Sequence, residues 1–221
     1  MKTVVVTGAT SGIGRAIAAA FLQEGCAVHG VARRTGDPLL GLHFHAADVT
    51  AADAPERLAA ELPDRLDVLV LNVGTYAPGT LLDSAVEQLD ELWTINVSSG
   101  HRLLRALEDR LQAGAHVFVV ASVASRKMFP DKMAYSVTKA AQLAYADGLR
   151  IALRPRGIRV TSVLPGPTWS ASWKGVDLPA SRLLQPEDVA SLVLSIWKLP
   201  ANAVVEEAVI RPLEGDLDAA L

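Results

Sequence analysis

Lys2-Thr3-Val4-Val5-Val6-Thr7-Gly8-Ala9-Thr10-Ser11-Gly12-Ile13-Gly14 is the stretch of this 221-residue chain whose reading decides the fold. The β-branched run reads as a buried strand. It passes without a break into a turn with glycines at 8, 12 and 14, and then into helical periodicity over Gly14–Glu24. Strand, glycine turn and helix in direct succession form the first half of a unit whose second strand must return parallel to the first.

The rest of the chain repeats that alternation. Short apolar runs recur at Ala27–Val31, Val68–Leu71, Val117–Val120, Ile158–Val163 and Ala208–Ile210, with a further strand closed by Asp48-Val49. Between them lie helical patterns at Ala51–Leu62, Ala85–Val97, Ser99–Leu111, Met133–Leu153 and Pro186–Trp197. Alternation of this kind implies right-handed crossovers and a parallel sheet covered on both faces. The expected fold is α/β, a doubly wound Rossmann-type sheet of about seven strands in a single domain spanning residues 1–221.

Half of the residues are hydrophobic, enough for one domain to bury about 70% of its extended surface. The net charge of -3 offers no electrostatic case for nucleic acid or an anionic membrane surface. Cys26 stands alone, which excludes a disulfide framework, and no apolar run reaches the length of a membrane span. No secretory-leader pattern is present, so a cytoplasmic location is expected.

The glycine turn has a chemical reading. Gly8, Gly12 and Gly14 let the backbone approach a ligand with no Cβ in the way, and Thr10, Ser11 and Ile13 sit where the following helix presents unpaired N–H groups to a pyrophosphate. A merely tight structural turn is the alternative, but the position between first strand and first helix favours the nucleotide site. The second strand ends at Ala32-Arg33-Arg34, where an NAD site would carry an acidic residue for the ribose 2′-hydroxyl. Two guanidiniums there grip a 2′-phosphate with fork-like hydrogen bonds, or else are simply solvated. Asp48 and Val49 after the third strand would meet an adenine, and Asn72 and Gly74 after the fourth would pass beneath a ribose. Each of these also reads as an ordinary loop residue.

Farther along, Ser122 follows the Val117–Val120 strand and reaches the carboxyl end of the sheet, where open parallel sheets bind ligands. Tyr135 and Lys139 are four apart in a helix and share one face. These three groups can therefore meet at one point.

In order along the chain, Thr7-Gly8-x-x-x-Gly12-x-Gly14, Asp48, Asn72-x-Gly74, Asn96, Ser122, Tyr135-x-x-x-Lys139 and Pro165-Gly166 resemble the short-chain dehydrogenase/reductase family in its compact form. The resemblance implies a nicotinamide cofactor, which Arg33 and Arg34 specify as NADP(H), and a catalytic tetrad of Asn96, Ser122, Tyr135 and Lys139, with a ketone or aldehyde interconverted with an alcohol. Tyr135 would be the general acid/base, Ser122 would hydrogen-bond the substrate oxygen, and Asn96 would interrupt a helix to hold a water. Lys139 would hold the nicotinamide ribose. A phenol titrates at about 10, so working near neutrality asks for a shift of about 3 units, about 4 kcal/mol. One ammonium at about 4 Å supplies that amount at an effective dielectric of about 20.

The loop Pro165-Gly166-Pro167-Thr168-Trp169-Ser170 resembles the family's carboxamide-contacting loop, with Thr168 and Ser170 as contact positions. The resemblance further suggests a homodimer or homotetramer built on the Ser99–Leu111 and Met133–Leu153 helices. The rival from another class is an NADP(H)-binding sensor without turnover. An epimerase or dehydratase of the same fold would need a larger substrate region.

Tyr76, Val123–Phe129, Trp169 and Trp173 are the expected pocket walls. The segment between Gly166 and Gln185 is short for the family, which predicts an abbreviated lid and an open pocket. His43 and His45 alternate along a strand, but with no third ligand nearby no metal site is expected. The segment Glu214–Asp218 is expected to be frayed or packed at a subunit contact.

Overall fold

The computed structural model describes residues 1–37, 39–170, 173 and 175–217. Seven strands form one parallel sheet in the order β3-β2-β1-β4-β5-β6-β7: β1 (Thr3–Thr7), β2 (Ala27–Ala32), β3 (Leu42–Ala46), β4 (Leu66–Leu71), β5 (Leu111–Val120), β6 (Arg159–Pro165) and β7 (Glu207–Ile210). The order reverses between β1 and β4, which opens a crevice at their carboxyl ends.

The period-2 alternation of each strand feeds two separate cores. Val4, Val6, Val68, Val70, Phe118 and Val120 face one layer, made by α1 (Gly12–Gln23) and α6 (Pro186–Trp197). Val5, Leu69, Leu71, Val117 and Val119 face the other, covered by α2 (Ala54–Glu61), α4 (Ser99–Leu107) and α5 (Met133–Leu153). Every strand residue in these two sets is at most 5% exposed, so both faces of the sheet are covered. The sheet is doubly wound, as the alternation predicts.

Boundaries differ from the expectation where local chemistry intervenes. The predicted Ala85–Val97 helix is α3 (Val86–Trp93) followed by a π-helical turn at Thr94–Ser98 that carries Asn96. The predicted Ser99–Leu111 helix gives way after Leu107 to a 3₁₀ turn, and Leu111 already belongs to β5. β5 is longer than its apolar run because Gln112, Ala113 and Gly114 are exposed and carry no burial signal. Asp48 and Val49 lie beyond the end of β3 rather than closing it.

Candidate active site

Glycine geometry builds the floor of the crevice. Gly8 and Gly12 have positive φ (69° and 49°), which side-chain-bearing residues rarely adopt. A Cβ on Gly14 would meet the Gly8 carbonyl oxygen at 2.3 Å. Ser11 stands at the N-cap of α1 with no side-chain cap, and no acidic residue occupies the first turn. The first N–H groups of α1 therefore face the crevice with the partial positive charge of the helix behind them.

Thr7, which opens the glycine motif but had no role assigned from the sequence, ties this floor together. Its hydroxyl donates to the Val70 carbonyl (3.2 Å) and accepts from the backbone N–H groups of Asn72 (2.9 Å) and Val73 (3.2 Å). The Asn72 amide donates to the Thr7 carbonyl (2.9 Å) and lies against Gly8 and Gly14, so Asn72 braces β1 against β4.

At the end of β2, Arg33 and Arg34 are exposed. The Arg33 charge reaches Asp48 and helps hold its carboxyl below the usual range, after the two hydrogen bonds from Thr50 (side chain 2.7 Å, backbone 2.9 Å). Val49 is 7% exposed and belongs to the core. Gly36 backs onto Thr10 (2.8 Å from its would-be Cβ to the Thr10 carbonyl oxygen), so the arginine loop and the glycine turn adjoin.

Across the crevice the second group of residues converges. Asn96, 2% exposed on the π-helical turn, accepts from the Thr75 N–H (2.7 Å) and donates to the Thr75 carbonyl (3.0 Å) and the Thr138 hydroxyl (2.9 Å). A Cβ on Gly74 would meet Lys139 Nζ at 3.2 Å and Asn96 Oδ1 at 3.3 Å, so both side chains border the space that this glycine leaves. Ser122, extended at the end of β5, accepts from the Ala124 N–H (3.1 Å). Burial pushes the Tyr135 phenol above the ordinary tyrosine value, and the neighbouring Ser122 hydroxyl offsets part of that rise.

Lys139 corrects one expectation. The ammonium lies 5.6 Å from the Tyr135 ring centroid, yet it donates to Gln142 Oε1 (2.7 Å) and to the Val120 carbonyl (3.3 Å). Burial pushes it down to about 7. The phenol is thus raised rather than lowered in the cofactor-free chain, and the four-residue spacing brings the pair together without acidifying it.

Pro165 ends β6 and the Gly166 N–H donates to the Ile210 carbonyl (2.8 Å). Thr168 donates to the Gly166 carbonyl (2.9 Å), and the Leu184 and Trp169 N–H groups pair with Pro167 and Leu184 carbonyls (both 2.8 Å), pinning the two ends of this segment together. Ser170 is half-buried beside them. Trp173 Nε1 donates to the Thr168 carbonyl (3.0 Å), so that tryptophan braces the segment. Trp169 is 44% exposed.

Of the expected walls, Val123, Ala124 and Phe129 pack against Tyr135. Tyr76, half exposed, sets its ring edge-on to Tyr135 at 5.6 Å. The loops carrying them are joined by backbone bonds from Gly79 N–H to Asp131 (2.7 Å) and from Met133 N–H to Gly79 (3.0 Å).

Two other expectations fall outside the crevice. His43 and His45 do share a face, and His29 joins them, stacked at 4.8 and 5.3 Å and bonded to His45 at 3.0 Å. Among the described residues no three such groups are arranged to hold a metal ion. Near the carboxyl end, Glu214 pairs with Arg182 (3.2 Å) and Asp216 with Arg211 (3.0 Å), so this part is held by ion pairs; Asp218 lies outside the described residues.

The family model described as short chain dehydrogenase matches residues 2–178. The chain is 31% identical to a sepiapterin reductase of Chlorobaculum tepidum over 96% of this chain and 97% of that protein. Its structure is similar to that of an alcohol dehydrogenase from the archaeon Thermococcus sibiricus, solved with 5-hydroxy-NADP (TM-score 0.88, 26% identity, 99% of each chain). It is also similar to BdcA in complex with NADPH (TM-score 0.86, 26% identity, 98% of this chain and 96% of that one). No described helix is long and apolar enough to cross a membrane.

Proposed function

This chain belongs to the short-chain dehydrogenase family of oxidoreductases, and we propose that it is an NADP(H)-dependent enzyme interconverting a ketone or aldehyde with an alcohol, of the carbonyl reductase or alcohol dehydrogenase type. The observation that carries the reading is the convergence beside Gly74 of Lys139 and Asn96, with the Tyr135 ring 5.6 Å from the Lys139 ammonium and Ser122 neighbouring its phenol.

The cradle fits a dinucleotide. The uncapped α1 N-terminus and the close approach of Gly8 to Gly14 suit a pyrophosphate. Arg33 and Arg34, with no acidic residue in their place, suit a 2′-phosphate. Both structural relatives named above carry NADP-type ligands, which supports the same choice here. In this reading Asp48 and Val49 border the adenine, Gly74 the ribose, and Pro165, Gly166, Thr168 and Ser170 the nicotinamide end. Asn72 acts there through its brace on Thr7.

A bound nicotinamide supplies or accepts the hydride at the carbonyl carbon. Tyr135 delivers its phenolic proton to the carbonyl oxygen as the C–H bond forms, and takes it back in oxidation. Ser122 donates to that oxygen and fixes its approach, a contact whose loss typically costs about 10² or more in rate. Lys139 holds the ribose hydroxyls, and its charge stabilises the phenolate when the two are brought together. Asn96, on the π-helical turn that interrupts its helix, holds the water of the proton relay, while its side chain fixes Thr75 and with it the turn that carries Tyr76.

The test is NADPH oxidation over a panel of carbonyl compounds, with Tyr135→Phe as control. The wild type reduces several unrelated carbonyls, because the short segment after Gly166 leaves the pocket open; a single accepted substrate counts against that openness. Tyr135→Phe lowers kcat by about 10² to 10⁴ while still binding NADPH. Full activity in that variant refutes the proton assignment, and tight NADPH binding without any reduction favours a sensor.

We also propose that the whole chain acts as one cofactor-binding and catalytic unit and assembles as a homodimer or homotetramer through α4 and α5. On that side Ile151 is 72% and Trp93 44% exposed, and a groove of about 690 Å³ runs between His101, Arg102 and Tyr145. Sedimentation velocity should give a dimer or tetramer for the wild type and a smaller species for Ile151→Glu. A monomeric wild type removes the proposal.

A further inference from the structure

Among the described residues Lys139 has one side-chain acceptor, and it lies on its own helix. Gln142 stands three residues on, and its Oε1 accepts from Nζ at 2.7 Å. Both residues are 5% exposed. Burying a glutamine amide is unfavourable unless it is hydrogen-bonded, and burying an ammonium more so. The remaining buried positions of α5 are Ala134, Ser136, Thr138, Ala146 and Leu153, all small, hydroxyl-bearing or apolar. Gln142 is therefore the long polar side chain on this buried face, and the hydrogen bond it makes is to the ammonium. Beside it a cavity of about 20 Å³, room for one water, is lined by the polar Thr7, Asn96, Ser99 and Gln142 and otherwise by apolar residues.

We propose that Gln142 is a positioning residue for Lys139, keeping the ammonium charged and drawn back along α5 toward the Val120 carbonyl until ribose hydroxyls share it. The inference rests on the reading of Lys139 as the ribose-holding cation. Its electrostatic content is simple. An amide oxygen stabilises the ammonium against the burial that pushes it down to about 7. The groups facing Lys139 are few: the Tyr135 ring at 5.6 Å from α5 itself, the Val120 carbonyl from β5, and Asn96 from the π-helical turn across the space at Gly74. None of these carries a full charge at neutral pH, so burial drives the downward shift and the amide is the side-chain hydrogen bond placed to oppose it.

The test titrates Lys139 directly in cofactor-free protein carrying ¹³C at the lysine ε-carbon, with Lys139→Met identifying its resonance. Gln142→Leu, close in size and without an acceptor, is expected to lower the midpoint by about one unit. Gln142→Glu, with a charged acceptor, is expected to raise it. NADP⁺ dissociation constants across pH 6–9 should move with the midpoints: weaker binding sets in at lower pH in Gln142→Leu and at higher pH in Gln142→Glu. Unmoved midpoints in both variants overturn the inference even if thermal stability falls, because a space-filling role changes stability without touching the titration. If Gln142→Leu does not fold, the upward shift in Gln142→Glu decides alone. The ε-carbon titration needs no turnover. Failure of the hydride reading appears instead in Tyr135→Phe, so the two failures are told apart.

Discussion

At the scale of single residues, the site depends on which partner each polar group reaches. Asn72 occupies a motif position associated with a cofactor, but its amide is directed at Thr7 and its work is mechanical. Arg33, by contrast, is exposed at the rim with Asp48 as an electrostatic neighbour and is available for an anion. Arg33→Ala is expected to weaken NADPH binding by 10-fold or more, since a charge-assisted contact contributes about 1.5–3 kcal/mol, and to leave NADH binding nearly unchanged. Fluorescence titration of both cofactors checks this; an equal effect on the two removes Arg33 from the 2′-phosphate site. Ser122, Tyr135 and Lys139 are legible in the sequence because strand ends and helical spacing place them. The direction of the Lys139 side chain is not, because it depends on Gln142, a polar residue whose only signal was its place on a buried face.

At the scale of elements, some boundaries are written in local chemistry and others are not. α6 begins where it was expected because Pro186 occupies its first turn and Gln185 and Asp188 form a reciprocal capping box. The π-helical turn was not legible as such: its five residues are too short a window for the phase shift of one inserted residue to stand out, and only the asparagine hinted at an interruption. The glycine turn belongs with the legible elements, and it makes a prediction. In Gly14→Ala the new methyl would sit 2.3 Å from the Gly8 oxygen, a backbone atom that cannot swing away. Either the turn or α1 must shift, so NADPH affinity should fall by at least 10-fold and stability by about 1–3 kcal/mol. A variant with wild-type affinity and melting temperature would mean the turn is looser than its geometry requires.

At the scale of the whole molecule, the alternation of strands and helices was enough to give the doubly wound sheet, since each strand had to feed two cores. Burial also sets how the molecule responds to acid. His116, fully buried in β5, is stacked on Phe118 at 4.0 Å, and its Nε2 donates to the Thr161 hydroxyl (2.8 Å), which itself donates to the Val205 carbonyl (2.6 Å). Its Nδ1 has no partner among the described residues, so a second proton there would be buried and unbonded, and burial pushes the imidazole down to about 3. His29 is held at about 4 by burial and by His43 and His45. Both values lie below the unfolded value of about 6.5. Between them and 6.5 the unfolded chain binds more protons, so stability falls as pH drops below 6.5 and is flat above it with respect to these groups. His116 adds a slope of up to about 1.4 kcal/mol per pH unit. Urea unfolding of His116→Gln should show a shallower decline from pH 6.5 to 4.5 than the wild type; equal slopes would mean His116 is not the source. A last consequence follows from Thr7. One hydroxyl joins Val70, Asn72 and Val73, so the gauge of the crevice is set by the chain before anything enters it. What remains for a ligand to engage from outside is the exposed rim at residues 33–37. Related ligands should arrive at similar rates and differ in residence time, with the rim acting as the latch.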